Sequence, residues 1–310
     1  MRILKTINKY YVIALLFLIF LVFIKAEYLI KYTIEGGIFF LTKIFPSLFI
    51  FLILTNIFMN LGGFSVFVKN PKKDFTYFQI FLLSLLCGYP LGSKFSTEAY
   101  KNGQISYIEY ESLCSITSNP NPIFIYSTVG MGFYGDKNIG ILFLISSLIS
   151  SVLMLLLFYR RTPSLSSNSG INSKKMNIFQ NTFNSLLSIG FTIIIFYITI
   201  RILNESKVID SLFNSLSNIL NKDLNGIRYF LLGILEMSNG SYLISKSSLS
   251  MGLKLVMTCF LITFGGVSIL VQSFNFIGDI FKNKNLLIMR KIIQGLISSI
   301  VFIILLSIKK

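Results

Sequence analysis

The sequence predicts an all-α fold: a polytopic integral membrane helical bundle with broken or re-entrant helices and a degenerate internal repeat of inverted topology. The first observation is composition, since 54% of the 310 residues are hydrophobic and 13% are charged, with a mean hydropathy of +0.74. A soluble domain carries about 25% charged residues. The second is that apolar residues form runs long enough to cross the ~30 Å hydrocarbon core of a bilayer. The third is that glycine or proline interrupts several of these runs.

The composition also excludes several functional classes. The chain has no histidine, which removes Ser-His-Asp and Cys-His catalysis and any zinc or haem site ligated by histidine. Its three cysteines, Cys87, Cys114 and Cys259, are widely spaced, so we expect them to be packing residues. The net charge of +16 lies mostly between apolar runs, which is typical of cytoplasmic loops rather than of nucleic-acid binding. We therefore expect no enzyme, no metal, no cofactor and no nucleic-acid partner.

The first element is an N-terminal transmembrane span within residues 1–30. Three basic residues precede an apolar run, Tyr10–Ile24, in the order found in a signal peptide. No small-residue cleavage site follows the run. We therefore interpret it as an uncleaved span whose N-terminus lies in the cytoplasm.

Three later runs have the length of full spans. They are Ile139–Phe158, Leu186–Leu203 and Ile292–Ile308. Between the first and second of them, Ser164–Ser173 has linker composition and is flanked by four cations, which predicts a cytoplasmic linker over residues 161–177. This linker divides the chain into a first half, residues 31–160, and a second half, residues 178–310.

The interrupted runs follow the same order in the two halves. In the first half the breaks Gly88–Gly92 and Ser118–Pro122 precede a full span, and in the second half Ser238–Gly240 and Gly265–Gly266 precede another. This shared order predicts the internal repeat. Backbone groups freed at a break in lipid must be satisfied by protein or by a water-filled cavity, and transporters build solute sites from such breaks. Pro46 interrupts a further run in the first half.

The charges beside the spans predict their orientation. Lys69, Lys72 and Lys73 favour a cytoplasmic loop after the second span. Four cations precede the last span and two follow it, which favours a cytoplasmic start and an external C-terminus. The preceding cations are Lys282, Lys284, Arg290 and Lys291, and the following ones are Lys309 and Lys310.

Two charged residues stand next to breaks. Glu236 lies in the apolar stretch Tyr229–Met237, and an acid at the centre of a membrane helix costs ~2.5–3.5 kcal/mol on insertion scales. It either faces a polar cavity, where it could carry a proton, or lies among the headgroups on a short interfacial helix. Lys94 follows the Gly88–Gly92 break; it either contacts an anion or reaches the membrane interface beside Glu98.

The residues around the breaks carry a family resemblance that runs from about Gly36 to the C-terminus. They are Phe45-Pro46-Ser47-Leu48, Gly88-Tyr89-Pro90-Leu91-Gly92-Ser93-Lys94, Asn119 to Phe124, Gly130-x-Gly132, Glu236-x-Ser238-Asn239-Gly240, and Phe264-Gly265-Gly266-Val267-Ser268 with Gln272. In order and spacing they resemble the YlbJ (SpoVV) family of sporulation integral membrane proteins, which have nucleoside-recognition or Gate domains. Ser118–Pro122 departs from the paired-Asn and Gly-Pro pattern more frequent in that family.

The resemblance implies two Gate-like halves and the movement of dipicolinate from the mother cell toward the forespore, across the outer forespore membrane. We predict a transporter of a small organic anion whose solute site is built from the breaks, and a transporter needs those breaks to converge on one cavity. The predicted solute-binding residues are Gly88, Tyr89, Pro90, Gly92, Ser93, Lys94, Asn119, Asn121, Ser238, Asn239, Gly240, Gly265, Gly266, Ser268 and Gln272, and the predicted coupling residue is Glu236.

Other assignments of function stay open. A nucleoside or another small carboxylate would fit the same residues, and a non-transporting scaffold or gating protein of the spore envelope is the competing class. The expected partners are the lipid bilayer, a small anionic solute, and other sporulation membrane proteins or a second copy of the chain. An intramembrane enzyme is the least favoured class, because no catalytic constellation stands out.

Overall fold

The computed structural model describes residues 26–61, 73–159, 178–205, 211, 213–215 and 225–308. Those residues are helical or in turns, with no strand among them, which confirms the all-α membrane fold. The predicted first span Tyr10–Ile24, Lys69, Lys72 and the linker 161–177 lie outside the described residues. In chain order the elements are α1 (Ala26–Phe39), π1 (Phe40–Ile44), α2 (Phe45–Asn60), α3 (Lys73–Cys87), α4 (Leu91–Lys101), α5 (Tyr107–Ile116), π2 (Phe124–Phe133), α6 (Lys137–Phe158), α7 (Ile178–Glu205), α8 (Asn225–Leu235), α9 (Met237–Lys246), α10 (Met251–Phe264), α11 (Gly266–Ile277) and α12 (Lys284–Ile308).

Four helical stretches within the described residues are long and apolar enough to cross a membrane. They are Lys137–Phe158, Thr182–Leu203, Met251–Ile277 and Lys284–Ile308. A further pair, Ala26–Ile44 with Leu48–Phe58, passes the same test together and bends by 62°, close to Pro46. The three full spans predicted from the sequence are confirmed, and the apolar side chains that α6, α7 and α12 expose suit a lipid environment.

Three of the four predicted breaks are present, those at Gly88–Gly92, Ser118–Pro122 and Gly265–Gly266. The α3–α4 break begins at Gly88, which has a φ of +76°, and the α5–π2 break spans residues 117–121. These two breaks pack together so closely that a Cβ on Gly92 would lie 1.9 Å from the main-chain oxygen of Thr117. In the second half α10 and α11 separate at Gly265, which has a φ of +88°.

The fourth break differs from its prediction. Ser238–Gly240 was expected to interrupt the helix, but these residues lie in the first turn of α9. The interruption is two residues earlier, at Glu236, whose backbone is extended with φ −144° and ψ 115°. The expected interruption was wrong because a carboxylate can cap a helix as serine or asparagine does, so the acid itself begins the new helix.

The charge pattern placed Arg290 and Lys291 before the last span. In the structure both residues lie inside the helix of that span. The helix α12 already begins at Lys284, and Arg290 is 2% exposed and Lys291 0% exposed. Only Lys282, before the span, and Lys284, its first residue, therefore remain as cations at its start. They equal in number the two lysines that follow it in the sequence, so the charge rule no longer decides the orientation of α12.

The Gly130-x-Gly132 motif is a point of close packing. Both glycines lie in π2, although glycine is a poor helix former. A Cβ on Gly130 would lie 2.3 Å from the Cα of Gly140. The motif therefore allows π2 to pack against α6 at main-chain distance.

Candidate functional site

The side chain and main chain of Tyr89 connect the four breaks. Its amide N donates to the main-chain oxygen of Asn119 over 2.6 Å. Its hydroxyl lies 2.9 Å from Met237 Sδ and 3.2 Å from the main-chain oxygen of Ile262. Asn119 belongs to the α5–π2 break, Met237 follows the α8–α9 break, and Ile262 is in the last turn of α10 before Gly265. The breaks therefore converge, as a transporter requires.

A small cavity lies at this convergence. Its volume is about 30 Å³, enough for a water molecule or two and far below the 300–1,000 Å³ of a typical ligand pocket. Five polar side chains line it: Tyr89, Asn121, Glu236, Ser238 and Gln272. Its apolar walls are Ile44, Leu48, Phe124, Ile189, Ile193, Met237 and Ile269. The structure thus shows a closed cavity whose wall comes from both halves of the chain.

Glu236 caps a helix at the wall of this cavity. It is 1% exposed, and its carboxylate accepts hydrogen bonds from the amides of Ser238 at 2.9 Å and Asn239 at 2.8 Å. A negative charge at this position is favoured by the N-terminal end of the α9 dipole. The position rules out the alternative in which Glu236 lies among the headgroups. It also gives the acid a structural role that the sequence did not predict.

Asn121 also caps a helical segment, the one that contains π2. Its Oδ1 accepts hydrogen bonds from the amides of Ile123 at 2.8 Å and Phe124 at 3.2 Å. Four helical segments begin at breaks. Two of them, those that contain α9 and π2, are capped by the side chains of Glu236 and Asn121.

The other two such segments, α4 and α11, begin without a side-chain cap. Their first turns carry Ser93 and Ser268, both fully buried, and neither hydroxyl has a hydrogen-bond partner among the described residues. One turn after Ser268, both amide atoms of Gln272 are also buried without a partner. Buried polar groups in native proteins are nearly always satisfied, by water or a ligand where not by protein. Of these three side chains, that of Gln272 lines the cavity, whereas Ser93 and Ser268, which were also predicted to bind solute, do not.

A second polar cluster lies deeper in the bundle, around Lys291. Its Nζ donates to the main-chain oxygens of Ser118 and, at 2.8 Å, Thr263, and to Gln294 Oε1 at 2.7 Å. The side chain is fully buried. No ion pair to Lys291 is present in the part of the chain that the structure describes. A buried ammonium with only neutral partners needs all of its hydrogen bonds.

Asn119 extends this cluster to three further helices. Its Oδ1 accepts from Gln294 Nε2 at 2.8 Å and from Ser151 Oγ at 2.7 Å. Its Nδ2 donates to Ser84 Oγ at 3.2 Å and to the main-chain oxygen of Ile116 at 3.0 Å. Two donors and two lone pairs are the whole capacity of an amide. Asn119, predicted to bind solute, is therefore fully engaged inside the protein.

The chain is similar to a curated sporulation membrane protein. The chain is 25% identical over 304 residues to the sporulation integral membrane protein YlbJ of Bacillus subtilis (strain 168), covering 85% of this chain and 74% of that protein. This confirms the resemblance to the YlbJ family. No family model matches the chain, and no solved structure matches it.

The remaining predicted site residues surround the cavity without lining it. Gly88, Pro90 and Gly92 form the turn between α3 and α4, Asn239 and Gly240 lie in the first turn of α9, and Gly265 and Gly266 separate α10 from α11. Lys94 is half-buried on α4, outside the cavity. On this helix, which is not among the candidate spans, burial raises the pKa of Glu98, and the ammonium groups of Lys94 and Lys101 partly oppose that rise.

Lys291 and Gln294 were not among the site residues predicted from the sequence. Both belong to a buried stripe on α12 that continues through Ser298 and Phe302, at the spacing of one helix face. A charged residue on the polar stripe of an apolar helix is the available signal, because ionisable residues within membrane helices face the bundle interior. The charge rule for loops instead placed Lys291 outside the span.

Proposed function

We propose that this protein moves a small organic anion across the membrane, with dipicolinate at the outer forespore membrane as the leading substrate and setting. The observation that carries the proposal is the convergence of four breaks on one cavity lined by Tyr89, Asn121, Glu236, Ser238 and Gln272. The similarity to a sporulation integral membrane protein supports the setting in endospore formation. We also propose that the protein performs no chemistry on the solute.

The closed cavity defines what transport requires of the structure. At about 30 Å³ it cannot hold an organic dianion, so α4 and α11 must move apart from α9 for a solute to bind. A glycine with a positive φ precedes each of the two moving helices: Gly88 comes before α4 and Gly265 before α11. Such residues absorb backbone rotation in hinge motions. The hydroxyl contacts of Tyr89 would break on opening.

The polar groups at the site suit an anion. The uncapped N-termini of α4 and α11 each carry roughly half a positive charge and free amide groups, and Ser93, Ser268 and Gln272 add hydrogen-bond donors. An ionised Glu236 would repel a dianion. We therefore propose that a dianion binds together with a proton at Glu236, which makes Glu236 the coupling residue.

Uptake by purified protein in proteoliposomes tests the proposal. Radiolabelled dipicolinate should accumulate above the level of empty liposomes, and Gln272→Leu should lower the initial rate by about 10-fold or more, because a hydrogen bond to a charged group contributes roughly 1.5–3 kcal/mol. Gln79→Leu is the matched control, since Gln79 is equally buried but does not line the cavity.

Three outcomes separate the alternatives. Uptake no greater than in empty liposomes, by protein shown to be folded, would favour the non-transporting scaffold or gating protein. Uptake of a labelled nucleoside in preference to dipicolinate would favour the nucleoside-like substrate. Equal loss of rate in Gln272→Leu and Gln79→Leu would remove the cavity from the solute path.

A further inference from the structure

The oxygen atoms around Lys291 have the arrangement of a cation site. They come from three separate elements: the main-chain oxygen of Ser118 just after α5, that of Thr263 in the last turn of α10, and Gln294 Oε1 on α12. The first two belong to different halves of the chain and are 145 residues apart in sequence. The site therefore joins the second break of each half.

The oxygen atoms of Ser118, Thr263 and Gln294 that surround Lys291 Nζ are called the cage below. The electrostatics of this cage suit one positive charge. The C-terminal end of a helix carries roughly half a negative charge, and the ends of broken helices together with unwound carbonyls hold the coupling cations of many transporters. Ser118 and Thr263 supply carbonyls at two such ends. Alkaline-earth and alkali cations prefer neutral and anionic oxygen ligands of this kind. The described residues place no carboxylate in an ion pair with Lys291, so the cage matches a monovalent cation.

We propose that the ammonium group of Lys291 occupies a latent sodium site, as a cation tethered to the protein. The tethered ammonium group bridges the ends of α5 and α10, and the protein needs no sodium ion for this purpose. Removal of the ammonium without filling its space would convert the cage into a site that binds Na⁺. The inference goes beyond the proposed transport, and it holds or fails independently of any substrate.

Thermal unfolding of purified protein in detergent tests the inference, with NaCl compared against choline chloride at equal ionic strength. The wild-type protein should have the same Tm in both salts. Lys291→Ala should have a lower Tm in choline chloride and regain part of the loss in NaCl, with Tm rising by a few degrees for each tenfold increase in Na⁺ as mass action requires.

Two variants control for other effects of the substitution. Lys291→Met removes the charge but fills the cage with an apolar side chain, so its Tm should fall without a response to Na⁺. Lys254→Ala removes a half-buried lysine on α10 whose Nζ donates to the main-chain oxygen of Ser245 at 3.3 Å, away from the cage. Its Tm should be equal in the two salts.

The inference is overturned if Lys291→Ala responds to Na⁺ no more than Lys291→Met and Lys254→Ala. A sodium-specific rise in the Tm of the wild-type protein would also overturn it, because the cage would then not be occupied by the lysine. That second comparison needs no variant to fold. Recovery of folded Lys291→Ala only from solutions that contain Na⁺ would support it.

Discussion

Tyr89 is the residue whose substitution should loosen the closed cavity most directly. The change Tyr89→Phe keeps the aromatic ring and removes the hydroxyl that contacts Met237 Sδ and the main-chain oxygen of Ile262. That oxygen lies in the last turn of α10, where carbonyls lack partners within the helix. The phenylalanine variant therefore leaves it without its donor.

The size of the effect follows from these contacts. A hydroxyl carries one hydrogen, which Met237 Sδ and the main-chain oxygen of Ile262 share in this structure, so Tyr89 contributes one full hydrogen bond, and its loss costs about 1–2 kcal/mol. If this energy is lost only from the closed form, the population of open molecules rises by about 5–30-fold.

The thiol of Cys87 reports on this opening, because it lies directly before Gly88 and is buried when the cavity is closed. In a background of Cys114→Ala and Cys259→Ala, the rate of maleimide labelling at Cys87 should rise by about 5–30-fold in Tyr89→Phe. Tyr134→Phe is the control: Tyr134 also joins two elements, through Thr258 at 2.6 Å, but does not line the cavity. Equal labelling rates in both variants would refute the role of Tyr89 in closure.

Three further substitutions test other parts of the structure. Glu236→Gln should flatten the pH dependence of dipicolinate uptake into proteoliposomes, and an unchanged profile at every pH would exclude the coupling role. Gly92→Ala should destabilise the protein by about 1–3 kcal/mol through overpacking between α4 and α5, measured by thermal unfolding. Gly252→Ala, with nothing within 4 Å of the added Cβ, should have little effect, and equal shifts would contradict the packing argument. Asn119→Ala should lower the Tm markedly because four hydrogen bonds are lost, whereas Asn138→Ala on α6 should stay within about ±0.5 kcal/mol of wild type.

The sequence was sufficient for the features that depend on local chemistry. The spans follow from the length of apolar runs, and the breaks at Gly88 and Gly265 follow from glycine because a positive φ is a property of one residue. The capping box of Ser106 and Glu109 at the start of α5 is local in the same sense, because it depends on two residues three positions apart.

Features that depend on distant contacts could not be predicted in the same way. Lys291 and its partner Ser118 are 173 residues apart, and no local pattern indicates which carbonyls a buried lysine will meet. The cap at Glu236 was also missed, since an acid before Ser238 can either cap a helix or face a cavity. Five of the predicted site residues line the cavity with their side chains, whereas Asn119 is used inside the bundle.

The hydrogen bonds of Asn119 also constrain how the chain is assembled in the bilayer. Ser84, Asn119 and Ser151 are synthesised long before Gln294 and Lys291, which belong to the last of the described helices. Chains fold progressively from the N-terminal side during synthesis. Until α12 is inserted, Asn119 therefore lacks its hydrogen bond from Gln294, and the Ser118 carbonyl lacks its hydrogen bond from Lys291. The insertion of α12 therefore supplies these missing contacts to the first half of the chain and stabilises it.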